Sequence, residues 1–134
     1  MRTLLIILIF VLYHGINILI AWINDRIVTM RIANKNPNQI NHFLWGAIYL
    51  ATVIPIYFLF PKPAWLMGAI ILLHLSIFPV SYNLFRGNAP FALSKTSNAV
   101  TDKFMVDVGL KDTEIVNIGA EIIAIVLVIF SIYK

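Results

Sequence analysis

The chain has 134 residues, of which 60% are hydrophobic and only 12% charged, with a mean hydropathy of +0.89 and a formal net charge of +4. That composition lies far outside soluble averages and identifies an integral membrane protein, and at ~20 residues per helical crossing it leaves room for about four passes and no separate catalytic domain. Cysteine is absent, which removes thiol catalysis, disulfides and thiolate metal sites; the basic residues are scattered and form no nucleic-acid-binding module.

In chain order, residues 3–23 form an apolar run interrupted only by Tyr13, His14, Gly15 and Asn17. Its length suits a spanning helix, and it ends in Trp22-Ile23-Asn24-Asp25-Arg26 rather than in small residues, so a cleaved signal peptide is not expected. Ile27, Val28, Arg31 and Ile32 predict an amphipathic extension that Asn34-Lys35-Asn36-Pro37 stops. The second span starts near Asn41 and covers residues 43–60, with Trp45 near its start and Pro55 inside, where a kink is expected. Pro61-Lys62-Pro63 is short enough to force the next span back alongside.

That third span, residues 64–85, contains His74, Ser76, Pro79 and Ser81 and merges into a polar segment. There, Val100, Phe104, Met105 and Val108 recur at helical spacing opposite Asp102, Lys103 and Asp107, which predicts a short helix on the membrane surface, ended by Gly109. Asp112, Thr113 and Glu114 bring capping and acidic groups to the start of the last span, residues 115–133. The expected fold is all-α: a single-domain membrane four-helix bundle with a short interfacial helix between its third and fourth spans.

Lys and Arg fix the expected orientation. Arg26, Arg31, Lys35, Arg86, Lys95, Lys103 and Lys111 fall on one face, against Arg2, Lys62 and Lys134 on the other. The positive-inside rule then places both termini outside, in an inner membrane.

This topology gathers two polar layers. At the cytoplasmic rim stand Asp25, His42, Asn83, Arg86 and Asp102, together with Asn24 and Glu114. They form either a solvated crown capping helix ends or an anion or metal site. Inside the hydrocarbon stand His14, Asn17, His74 and Glu121; an ionisable group there is costly and serves either as hydrogen-bonded glue or as a proton or ion path. Glu121 is expected to face His14, Asn17 or His74. No cofactor is expected; the alternatives are haem held by His14 and His74, and a divalent metal at Asp25 and His42.

The run Asn83-x-x-Arg86-Gly87-x-x-Pro90, followed by Thr96-Ser97 and Asp102, resembles a feature of small multi-pass membrane proteins of unknown function from bacterial and phage genomes. The resemblance covers about a quarter of the chain and implies no activity, but it singles out Asn83, Arg86, Gly87 and Asp102.

With no set of established catalytic meaning, the expected function is a non-catalytic, oligomer- or complex-forming membrane protein, with pore formation as one form of it. The expected partners are the lipid bilayer and further copies or a larger membrane complex. A proton or ion conductor using His14, His74 and Glu121 is the first alternative, and a metal- or haem-binding enzyme subunit the second. The last span, with Gly119 and Ala120, is the expected oligomer interface.

Overall fold

A computed structural model describes residues 1–33, 42–60, 63–93 and 100–133, with side chains described for 1–27, 47–60, 63–93 and 104–133. The described residues form five helices and no strand: α1 (Arg2–Ala33), α2 (His42–Leu59), α3 (Ala64–Phe85), α4 (Val100–Asp107) and α5 (Glu114–Tyr133). α1, α3 and α5 are each long and apolar enough to cross a membrane, and α2 carries a shorter apolar stretch, Ala47–Leu59. α1 runs without interruption through the predicted amphipathic extension, and α2 and α3 continue past Pro55 and Pro79.

α3 lies at the centre, packed against α1, α2 and α5, while α1 also touches α5. The side-chain contacts set the directions. Trp65 meets Phe130 and Ser76 meets Glu121, so α3 and α5 are antiparallel. Arg2 donates to the Ser131 carbonyl and His14 meets Glu121, so α1 and α5 are antiparallel too. α1 and α3 therefore run parallel, and α2 must return between them; Tyr13 reaching Thr52 and Asn17 reaching Tyr49 show that it does. An 18-residue helix is about 27 Å long at 1.5 Å per residue, close to the ~30 Å of a hydrocarbon core.

Each helix buries one narrow stripe. On α3 it is Leu66, Ala69, Ile70, Leu73 and Ser76; on α5 it is Asn117, Ala120, Ala124, Val128 and Ser131. Only 28% of the apolar window of α1, α3 or α5 is buried, and the outward faces carry Leu4, Leu8, Leu12, Ile122, Ile125 and Ile129. Such a surface would aggregate in water but suits lipid, where helices associate by close packing and hydrogen bonds rather than by excluding apolar groups from solvent. Small residues let the central pair approach: a Cβ at Gly68 would lie 3.3 Å from Leu127 Cδ1. Ala120, a residue marked for an oligomer interface, is buried against the chain's own bundle, while Gly119 has open space around it.

Two helices end in the same way. Gly87 (φ 71°) and Gly109 (φ 79°) adopt the left-handed conformation that glycine tolerates without a Cβ clash. After α3, the Asn88 amide bonds the Asn83 carbonyl and the Gly87 amide bonds Leu84; after α4, Leu110 bonds Met105 and Gly109 bonds Val106. Each pair is a Schellman motif that satisfies carbonyls the helix would otherwise leave unpaired. In α4, Met105 turns inward while Phe104 remains exposed, as does Val108 just beyond its end.

Candidate functional site: a polar layer inside the bundle

Two hydrogen-bonded groups lie where α1, α2, α3 and α5 meet. The first centres on Asn17, which is fully buried. Its Nδ2 donates to the Tyr13 carbonyl at 2.8 Å and to the Tyr49 hydroxyl at 3.2 Å. A carbonyl only accepts, so the amide orientation is settled and Oδ1 faces His74 Nδ1 at 2.8 Å as acceptor. His74 therefore carries a proton on Nδ1. The Tyr49 hydroxyl in turn donates to the Ile70 carbonyl, and that of Tyr13 to Thr52. Asn17 thus ties α1 to α2 and α3 with both amide hydrogens and its oxygen used. His74 is held further by its ring faces, stacked on Tyr49 at 4.5 Å and Phe78 at 4.9 Å, and the ladder continues through Tyr82 to the Arg86 guanidinium.

The second group centres on Glu121. Its Oε1 lies 3.0 Å from His14 Nε2, and its Oε2 accepts a hydrogen bond from the Ser76 hydroxyl at 2.6 Å. His14 Nδ1 faces the Phe10 carbonyl at 2.9 Å and must donate to it. One proton therefore remains to be shared between Nε2 and Oε1. On the imidazole it makes an ion pair; on the carboxyl it makes a neutral one, with the same two heavy atoms in contact. Unlike Asn17, this pair is not sealed in: His14 is 29% and Glu121 26% exposed.

What surrounds the pair differs between its two ends. Toward Arg2 and Ser131, the residues Ile6, Phe10, Leu66, Ile70, Ala124 and Val128 belong to one packed apolar cluster. Toward the α3–α4 connection lies an open, largely apolar pocket of about 280 Å³, lined by Ile18, Ile77, Val80, Phe91, Ile118 and Glu121 among others.

The four residues predicted for the intramembrane layer are thus close together, but in two separate partnerships: Glu121 pairs with His14, and Asn17 with His74. Ser76, Tyr49 and Tyr13 complete them and were not anticipated as site residues; their isolated hydroxyls inside apolar runs were the available signal. His14 directs Nε2 to Glu121 while both ring faces of His74 are covered, so these contacts lend no support to haem between them.

The rim divides differently. Asn83 Nδ2 donates to the Pro90 and Ala92 carbonyls, 3.0 Å each, clamping the connection back onto α3. Together with the Gly87 turn, this gives the Asn-x-x-Arg-Gly-x-x-Pro run a structural explanation. Arg86 Nη1 bonds the Tyr82 hydroxyl at 2.9 Å, one turn back on its own helix. Asp25 is half-buried and not free of partners; the side chains of His42 and Asp102 lie outside those described, so the Asp25 and His42 metal alternative is not addressed by these contacts. At the start of α5, Asp112 Oδ1 accepts from the Glu114 amide, whereas the Thr113 hydroxyl donates to Phe91 and receives the Asn117 amide. Asn24 is fully buried, and neither polar atom of its amide has a partner among the described residues.

The chain matches no family model, no curated protein and no solved structure.

Proposed function

We propose that this chain is a four-pass integral membrane protein that takes up and releases protons at the His14–Glu121 pair, acting as a subunit of a homo-oligomer or larger membrane complex. The observation that carries the reading is the 3.0 Å contact between an imidazole and a carboxyl group inside the bundle. A carboxylate or charged base at a helix centre costs ~2.5–3.5 kcal/mol even on insertion scales. Neutral groups suffice to join membrane helices, as Asn17 and Tyr49 do here. The His14–Glu121 contact adds a proton with two resting places, which is the property that acid–base exchange requires.

Assembly enters because the packed apolar cluster on the Arg2 side offers no polar continuation among the described residues. A proton released in that direction leaves along a contact with another subunit. Enzymatic readings have no comparable observation in their favour.

The test is flux. Wild-type protein in liposomes should collapse an imposed proton gradient, read by an internal pH dye, and Glu121→Gln should abolish this while leaving the fold intact. Wild-type liposomes that pass no protons at any imposed potential would leave Glu121 as structural glue.

A further inference from the structure

We infer that the open pocket beside the His14–Glu121 pair binds a lipophilic organic cation, an apolar body carrying one positive charge, with Glu121 as its counter-ion and with release of the proton that Glu121 shares with His14. The inference rests on the proton-exchange reading and names the class of ligand that displaces the proton.

The lining suits an apolar body. α1 supplies Ile18, α3 supplies Ile77 and Val80, and α5 supplies Ile118, while Glu121 is the one ionisable side chain among the lining residues. All three helices are long and apolar enough to cross a membrane. Ile18 and Ile118, each 44% exposed, carry the two walls out to the lipid-facing surface of the bundle. A molecule dissolved among acyl chains therefore enters sideways. The volume of about 280 Å³ is close to the lower end of the ~300–1,000 Å³ range of ligand pockets, and the open side leaves the rest of a larger ligand in lipid.

Charge supplies the selection. Glu121 lies seven residues into α5, about 10 Å from its start at 1.5 Å per residue. A carboxylate has about four lone-pair positions; His14 and Ser76 meet one oxygen each, and the side chain remains 26% exposed. Ionised in apolar surroundings, it is costly until a cation pairs with it. The lining decides which cation. Ca²⁺ takes about six to eight oxygen ligands and Mg²⁺ keeps several waters, whereas no group of three or more His, Cys, Asp or Glu among the described residues could hold a metal ion. The amide of Asn117 is engaged with Thr113. A cation whose charge is enclosed in hydrocarbon has little hydration to give up, so pairing with Glu121 carries a smaller desolvation cost. Its body packs on Ile18, Ile77, Val80 and Ile118.

The charges balance. With His14 Nδ1 donating to Phe10, the unliganded pair holds one proton between Nε2 and Oε1 and has no net charge. A cation bound to ionised Glu121 beside neutral His14 releases that proton, so one positive charge enters and one leaves. Among the described groups packed against the pair, α1 supplies His14 and α3 the Ser76 hydroxyl, while His74 is turned to Asn17 and Tyr49 of α2 to Ile70. Cation and proton thus compete for one site, and affinity should rise with pH by up to about tenfold per unit while the proton is bound.

Tetraphenylphosphonium is the probe, and tetraphenylborate, of nearly the same shape and opposite charge, its control. Titration calorimetry on the wild-type protein in nanodiscs, corrected for protein-free discs, should show saturable binding of the cation and none of the anion. Repeating it in two buffers of different ionisation enthalpy should show a proton released on binding. Glu121→Gln should weaken binding on the order of tenfold or more, and Ile118→Trp, which fills the pocket from an exposed position, should weaken it as well. Equal binding of the two ions, affinity independent of pH, or binding untouched by both substitutions would overturn the proposal. The comparison of the two ions and the proton count need no variant, so a substitution that fails to fold leaves the test intact. Cation binding with proton release, in liposomes that pass no protons, would uphold the site and remove the flux reading; proton flux with no preference for the cation would remove the ligand and leave the flux.

Discussion

Replacing Glu121 separates hydrogen bonding from proton exchange, because glutamine keeps the one and loses the other. Glu121 makes two side-chain contacts, with His14 and Ser76. With His14 Nδ1 donating to Phe10, a glutamine amide can donate to Nε2 and accept from the Ser76 hydroxyl, so both contacts survive in a neutral form. Alanine removes both. Hydrogen bonds between membrane helices average ~0.6 kcal/mol and reach ~1.7, so Glu121→Ala should lose roughly 1–3 kcal/mol. Glu121→Gln should stay within about 0.5 kcal/mol of wild type by the same measure. Reversible unfolding in mixed micelles of mild detergent and dodecyl sulfate, followed by circular dichroism, measures both. If glutamine destabilises as much as alanine, the two contacts do not hold the resting fold in the way described.

Asn17→Leu should be more damaging than Glu121→Ala in that assay, since it removes three contacts and leaves the His74 Nδ1 proton without its acceptor; a cost under about 1 kcal/mol would contradict its place as the hub of three helices. Asn83→Ala should weaken the α3–α4 connection by about 1–2 kcal/mol, from two lost bonds to carbonyls, seen as faster amide exchange at Phe91 and Ala92. Proton flux should be unchanged in that variant, and its loss would return Asn83 to the functional residues. Gly87→Ala, forced into a left-handed backbone, should cost about 1–2 kcal/mol in the same unfolding experiment, while Gly15→Ala, with open space around it, should be close to neutral. Single cysteines at Asn36 and Asn98 should resist an impermeant thiol reagent in intact cells while one at Lys134 reacts; the opposite pattern would invert the orientation.

The helices themselves were legible in the residues. Apolar runs of bilayer length, with prolines, glycines and asparagines between them, predicted α1, α2, α3 and α5 to within a few residues, and the spacing of Val100, Phe104 and Met105 predicted α4. The reason is physical: in hydrocarbon a chain must satisfy its backbone internally, so a long apolar run has little choice but helix. The chemistry of His14, Asn17, His74 and Glu121 was legible too, because polar side chains at that depth are expensive wherever they point. Partnership was not. His14 and His74 are both imidazoles at mid-span, yet one meets a carboxyl group beside an open pocket and the other, stacked on Tyr49 and Phe78, meets a buried amide. That difference depends on how α1 and α5 are rotated about their axes relative to α3, and rotation is set by close packing at Gly68, Ala120 and Ala124. Hydropathy is nearly the same all round these helices, so no periodicity marks which stripe faces inward. In water the apolar face would have announced itself; in lipid only packing and hydrogen bonds distinguish the inside from the outside, and those exist only once the helices have met.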